Sequence, residues 1–342
     1  MRAWRNRRQG AHLNRRRAFL VLLLLTITAA TGLLLSLAVG SFTLAPGEVG
    51  LALIGRGDGM AQEVVRSLRL PRTLSVFACG GLLALAGALM QVLLRNPLAD
   101  PYVLGISGGA AVGALAAMLL GVGASLGLGA AAFAGALLAM ALVFGLAHGD
   151  GSWTQTRLLL TGVIVAAGCG AAVALMLSLA PEQQLRGMLF WLMGDASQAG
   201  DPRLPLLVLA LGLAVALFFA RDLNLLTRGP LLAATLGANV TRLRLLLYFL
   251  ASLLTATAVT SVGSVGFVGL VVPHLVRLAL GNDQRLLLPA ATLAGAALLT
   301  LADTLARSVI APQQLPVGVL TALIGVPVFL LLLARAPRVE PA

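Results

Sequence analysis

The sequence contains no lysine; all 24 of its basic residues are arginine. This excludes the P-loop, whose lysine reaches the β- and γ-phosphates of a bound nucleotide. Acidic residues are also scarce, at 12 in 342 residues, and all charged residues together make up 11%. A soluble domain of this length needs more polar surface than that to cover its core. There are two cysteines, Cys79 and Cys169, both within apolar runs. They form no disulfide framework and no metal-ligand spacing, and read as small packing residues. The three histidines, His12, His148 and His274, are scattered and make no metal site. No nucleophile motif sits in a context suited to catalysis, so the residues imply neither an enzyme nor a cofactor. The alternating polar and apolar pattern of a membrane barrel is absent as well.

What is there is long, uncharged and apolar. Hydrophobic residues make up 59% of the chain, and the mean hydropathy is +0.98. Ala18–Gly47, Thr73–Leu94, Leu158–Pro181, Leu204–Ala220, Leu245–Val276 and Ser308–Ala334 each lack Asp, Glu, Lys and Arg. Pro101–Gly149 is uncharged too, and long enough for two spans and a turn. A helix crosses a bilayer in about 20 residues, and its backbone must be hydrogen-bonded internally, so these runs predict helices. The expected fold is an all-α membrane protein, a polytopic bundle of about ten transmembrane helices. They are expected near 18–39, 66–94, 103–120, 125–147, 156–180, 203–220, 243–263, 267–280, 286–307 and 315–334. The chain then divides into a basic tail (1–17), one transmembrane domain (18–335) and a short C-terminal tail (336–342).

The net charge of +12 does not indicate a nucleic-acid partner, because it is concentrated in one tail and in loops beside apolar spans. Arg2, Arg5, Arg7, Arg8, Arg15, Arg16 and Arg17 precede the first span. The positive-inside rule puts that end in the cytoplasm. The first apolar stretch is too long for a signal peptide and ends without a small-residue cleavage site. An even number of spans returns the C-terminus to the cytoplasm, consistent with Arg335 and Arg338. Arg157, Arg221, Arg228, Arg242, Arg244 and Arg285 fall on the same side. Arg66, Arg69, Arg72 and Arg307 do not, and would lie near the outer face. Either the topology is wrong there or these cations form a functional cluster. Asp303 lies four residues before Arg307, the spacing of a local helical ion pair.

Other features are structural at first reading. The polar stretch 221–244 reads as the longest connection, on the cytoplasmic side. Between Ala180 and Arg203 a short helix is expected at the membrane surface, with Phe190 and Trp191 at interfacial depth, where aromatics anchor. Gly109 and Gly113 form a GxxxG match suited to close helix packing. Pro273 and Pro316 are expected to break or kink spans. Deep ionisable groups of the kind ion-coupled transporters use are nearly missing. These observations leave open a channel, an ion-coupled secondary transporter, a membrane scaffold, or the membrane half of a machine powered by a partner.

An ordered set of motifs narrows this choice. Arg69-Leu-Pro-Arg72 opens the second span. Gln91 and Arg95-Asn-Pro-Leu-Ala-Asp-Pro101 close it, before Leu104-Gly-Ile-Ser-Gly-Gly-Ala110. Gly263-Ser-Val-Gly-Phe-Val-Gly-Leu-Val-Val-Pro-His-Leu-Val-Arg277 follows, then Leu287-Leu-Pro289, Ala302-Asp303 and Leu315-Pro-Val-Gly-Val-Leu-Thr-Ala-Leu-Ile-Gly-Val-Pro-Val-Phe329. From about Arg66 to Leu333 the chain resembles the FecCD family of ABC importer permeases, which import ferric siderophores, haem and vitamin B12.

The resemblance implies ten helices per subunit and a type II importer permease fold in the bacterial inner membrane. It implies a homodimer with the pathway between the copies, two ATP-binding subunits below and a periplasmic substrate-binding protein above. In vitamin B12-importing members, arginines matching Arg69, Arg72 and Arg307 meet glutamates on the binding protein's lobes. Snorkelling anchors are the bland reading of the same residues. The 221–244 stretch, with Arg228, Gly229, Leu236 and Gly237, matches the segment that packs into the ATPase. Most members carry Gly-Glu there, whereas this chain has Gly229-Pro230. Asn96 and Leu98, with Gln155 and Thr156 opposite, match the cytoplasmic gate; a helix cap and turn is the plainer reading. The stretches Arg186–Gly194 and Gly325–Phe329 look close to vitamin B12 permeases, and siderophore permeases carry similar ones. Ferric siderophore and cobalamin rank level as cargo, with haem third.

Overall fold

The computed structural model describes residues 15–40, 43–122, 126–147 and 154–335. Arg2, Arg5, Arg7, Arg8, His12, His148 and Arg338 lie outside the described residues. Among the described residues every regular element is helical. Helix α1 (Arg15–Ala38) is followed by the short α2 (Pro46–Leu53) and α3 (Gly59–Glu63). A π-helical turn, Val64–Arg69, joins α3 to α4 (Leu70–Leu93). A 3-10 turn at Pro101–Leu104 leads into α5 (Ile106–Leu119), α6 (Leu126–Ala147) and α7 (Gln155–Leu179). Then come α8 (Glu182–Leu192), α9 (Arg203–Phe218), α10 (Ala220–Arg228), α11 (Pro230–Thr235) and α12 (Val240–Val262). The chain ends in α13 (Val268–Leu280), α14 (Gln284–Ser308) and α15 (Val317–Arg335).

Each of the ten expected spans corresponds to a helix. Six are long and apolar enough to cross a bilayer alone, and a seventh is the α9–α10 pair, bent by 61°. The other three, α5, α13 and α15, are shorter apolar helices.

Helix α4 lies at the centre. It packs against α14, α12, α13 and α9, and its side chains from Val76 to Leu93 are buried almost without interruption. Small residues permit this density. An added Cβ on Gly80 would collide with the Gly295 carbonyl oxygen of α14. One on Gly87 would fall on the Gly269 carbonyl oxygen of α13. That second contact has a covalent origin. Pro273 lies inside α13 and has no N–H to donate to Gly269, four residues earlier. The released carbonyl faces the Cα of Gly87, a weakly polar contact that only glycine allows. The next carbonyl, of Leu270, accepts from Gln91 Nε2 at 3.1 Å. The proline-containing helix is thus supported by its neighbour, as a low-dielectric interior requires. Several threonine hydroxyls of α12 and α14 are satisfied within their own helix. Thr255, Thr257, Thr292, Thr300 and Thr304 each donate to the carbonyl four residues back.

Three expectations change. The 221–244 stretch is largely two short helices, α10 and α11, because Leu223 and Leu226 recur on one buried face. Trp191 is buried in the bundle and is no surface anchor, although α8 is present where a short helix was expected. Pro316 does not interrupt a span; it sits in the turn just before α15.

Replacing Gly87 with valine is expected to separate α4 from α13. The cost should be about 1–3 kcal/mol or more, the range for overpacked cores. A lower melting temperature in detergent would report it, and an unchanged one would contradict the contact.

Candidate functional site

The four anomalous arginines gather near the end of the bundle where α1 stops and α4 begins. Arg69 Nη1 donates to the carbonyls of Leu37 at 2.7 Å and Ala38 at 2.9 Å, so it caps α1 from outside. A cation there complements both the orphan carbonyls and the negative end of the helix dipole. Arg72, about one helical turn later, reaches across to α14. Its Nε and Nη2 donate to Asp303 Oδ2 and Oδ1 at 3.2 and 2.7 Å, a two-pronged pair. Its Nη1 donates to Gln314 Oε1 at 2.8 Å. Arg307 lies with Nε 3.2 Å from Asp303 Oδ2, the expected i,i+4 pair. Its Nη2 donates to Ser36, to the carbonyl at 3.0 Å and to Oγ at 2.8 Å. Ser36 Oγ also shares a hydrogen bond of 2.8 Å with Thr73 Oγ1.

One carboxylate therefore serves two guanidiniums. Asp303 is 1% exposed, Arg307 7% and Arg72 13%, so solvent screens these pairs weakly. Arg69, Arg72 and Arg307 all line one open cavity of about 860 Å³, together with Arg203, Asp201, Gln314 and the 197–202 loop. Arg203 and Asp201 pair loosely at 3.8 Å on the surface. Arg66 lies outside that lining, on the π turn. The cavity is thus lined by an excess of positive charge, and its chemistry suits an acidic group. The sequence signalled Asp303 with Arg307, by spacing. It held no sign of Ser36, Gln314 or Arg203, which come from three other stretches of chain.

At the opposite end, Gln155 Nε2 donates to the Leu93 carbonyl at 2.8 Å, which brings the start of α7 to the end of α4. Thr154 caps α7 by accepting from Arg157 N, and Thr156 is exposed beside it. Arg95 has φ +48°, and this left-handed residue turns the chain sharply out of α4. Asn96 Oδ1 accepts from Leu98 N at 2.9 Å, an Asx turn that leaves Leu98 exposed. Asp100 accepts from Tyr102 N at 2.8 Å. Burial pushes its carboxyl up to about 6, and the Tyr102 N–H pulls the other way. Tyr102 Oη in turn donates to the Val265 carbonyl at 2.9 Å, tying this turn to the start of α13. The four gate candidates therefore lie at one end, around the α4 exit.

The α10–α11 segment lies at that same end. Gly229, with φ +135°, separates the two helices, and Gly237, with φ +88°, ends the second. Ala233 is buried, whereas Leu231, Leu232 and Leu236 are exposed at 83%, 45% and 55%. The segment is anchored to α14. Asn224 Nδ2 donates to Asp283 Oδ1, and Asn224 Oδ1 accepts from Gln284 N, both at 2.9 Å. This tie spans 59 residues and has no sequence signature. Among the described residues, no group of three or more His, Cys, Asp or Glu is placed to hold a metal ion.

Comparison with known proteins agrees with this architecture. A family model, the FecCD transport family, matches residues 23–335. The vitamin B12 import system permease of Klebsiella pneumoniae is 40% identical over 95% of this chain and 97% of its own. The hemin transport system permease of Yersinia pestis is 42% identical over 79% of this chain and 82% of its own. A solved ABC transporter assigned to the metal-chelate type, in an inward-facing conformation, superposes with a TM-score of 0.80. It shares 31% identity, with 93% of this chain and 99% of that one covered. The chain therefore belongs to the FecCD family and is a multi-pass membrane protein with a type II ABC importer permease fold, one of a group of transport subunits whose ATPase resides in a separate subunit.

Proposed function

We propose that this chain is the translocating subunit of an importer that carries a metal chelate across the bacterial inner membrane. The cargo is a ferric siderophore or cobalamin, with haem third. The reading is carried by one observation above the rest. A cavity with an excess of arginine lies at one end of the bundle, and an exposed apolar knob lies at the other. Helix α14 touches both, through Asp283 and Gln284 at its start and Asp303 and Arg307 at its end.

In this reading residues 18–335 form a single transmembrane domain and both termini are cytoplasmic. Two copies enclose the pathway. Arg69, Arg72 and Arg307 form the docking surface for a periplasmic substrate-binding protein. Complementary charge speeds such an encounter and fixes its orientation. Arg72 and Arg307 keep N–H groups beyond those taken by Asp303, Gln314 and Ser36, since a guanidinium has five. Arg228, Gly229, Leu236 and Gly237 form the contact with two ATP-binding subunits. Leu231 and Leu236 supply apolar contact, and Pro230 stands where most family members carry a glutamate. Asn96, Leu98, Gln155 and Thr156 narrow the cytoplasmic exit. The mechanism is alternating access: ATP binding and hydrolysis in the partner move α10 and α11, and the tie to α14 passes that motion on.

Uptake of labelled cobalamin and of a labelled ferric siderophore should be compared in the source strain, a deletion of this gene, and the deletion restored by plasmid. Loss of one substrate, recovered on restoration, is expected. Undiminished uptake of both, and of haem, would contradict the cargo class. Gly237→Val forces a β-branched residue into a left-handed conformation. In the assembled complex it is expected to lower substrate-stimulated ATP hydrolysis several-fold, and full stimulation would contradict the coupling assignment.

A further inference from the structure

We propose that Asp303 is a positioning residue for docking, holding Arg72 and Arg307 in the orientation at which acidic side chains of the binding protein meet them. The inference rests on the docking reading above. The geometry that carries it is the sharing of one buried carboxylate. Asp303 takes the Nε and Nη2 of Arg72 and lies 3.2 Å from the Nε of Arg307. It thereby pairs with two long side chains, Arg307 of its own helix and Arg72 of α4, which lies 231 residues from Asp303 in the chain. An unrestrained arginine loses rotamer freedom when it is immobilised. A clamp already in place removes that cost from the docking step, which is how preorganisation raises affinity. Gln314 completes the clamp by accepting from Arg72 Nη1 at 2.8 Å.

Charge alone makes the opposite prediction, and this makes the proposal testable. Four arginines (69, 72, 203 and 307) line the cavity, against Asp201 in the lining and Asp303 behind it. The local sum is 4 − 2 = +2. Neutralising Asp303 raises it to +3, which favours an acidic partner on electrostatic grounds. If Asp303 only tunes the field, its loss should tighten docking. If it positions the arginines, its loss should loosen docking despite the added positive charge.

The test uses the full permease–ATPase complex in lipid nanodiscs and the source strain's own substrate-binding protein as the probe. Affinity, on-rate and off-rate are read from low to high salt. Asp303→Asn is expected to weaken affinity about tenfold, equivalent to about 1.4 kcal/mol. The loss should lie in the off-rate, and Asp303→Glu should restore part of it. Gln314→Ala, at an exposed site, should weaken docking about threefold by the same logic. Arg72→Glu separates the two readings. If Arg72→Glu weakens docking while Asp303→Asn leaves it unchanged or tightens it, positioning is wrong and the docking surface stands. If Arg72→Glu has no effect at low salt, the docking surface itself is wrong. Should Asp303→Asn fail to assemble, Gln314→Ala decides: slower release of the wild type supports the clamp, and identical off-rates overturn it.

Discussion

A backbone in hydrocarbon has no water to bond to, and this constraint organises the molecule. Every carbonyl a helix releases must find a partner within the protein. The consequence is clearest around α4, which is enclosed on nearly all sides. Gly80 and Gly87 face carbonyls of α14 and α13, and Gln91 supplies a donor beside Pro273 in α13. Threonine hydroxyls of α12 and α14, Thr255 and Thr292 among them, fold back on their own helices for the same reason. Many apolar residues remain exposed on α1, α7 and α15, where they are available to lipid. Because the centre is locked by backbone-to-backbone approach, adaptable chemistry is confined to the two ends.

Helix α14 connects those ends. It has 25 residues, a length of roughly 37 Å at about 1.5 Å per residue. At its start, Asp283 and Gln284 hold Asn224 of α10. At its end, Asp303 and Arg307 hold Arg72 of α4 and Ser36 of α1. Neither contact is a surface ion pair of the weak kind. One is a side-chain amide bonded to both a helix-capping carboxylate and a helix N–H, and the other is a carboxylate almost without solvent. A rod fixed at both ends by short polar contacts passes a displacement from one to the other more readily than loose packing would. Such a rod is what an importer powered by a separate subunit needs.

Much of this was legible in the sequence, and the reasons are physical. Long apolar runs located a helix at each of the ten expected spans, because hydrocarbon leaves no alternative. The positive-inside rule marked Arg66, Arg69, Arg72 and Arg307 as anomalous, and all but Arg66 line the same cavity. The Asp303–Arg307 pair followed from helical spacing. The contacts that give the cluster its character did not follow, because they join distant segments. Arg72 meets Asp303 from across the chain, and Arg69 caps a helix that ends 31 residues earlier. Spacing rules cannot see either. Trp191 misled because an aromatic beside a polar segment looks interfacial, whereas here the chain folds back and buries it. The polar stretch 221–244 hid two helices, because an amphipathic turn too short to span a membrane carries no hydropathy signal.

The central claim is that transport by this chain is driven by ATP hydrolysed in a partner and not by an ion gradient. The most direct measurement is uptake of the labelled chelate into liposomes that hold the permease with and without its ATPase, supplied with ATP or with a proton or sodium gradient. The account predicts uptake only when the ATPase, ATP and the binding protein are all present. Uptake by the permease alone, driven by an ion gradient, would contradict it.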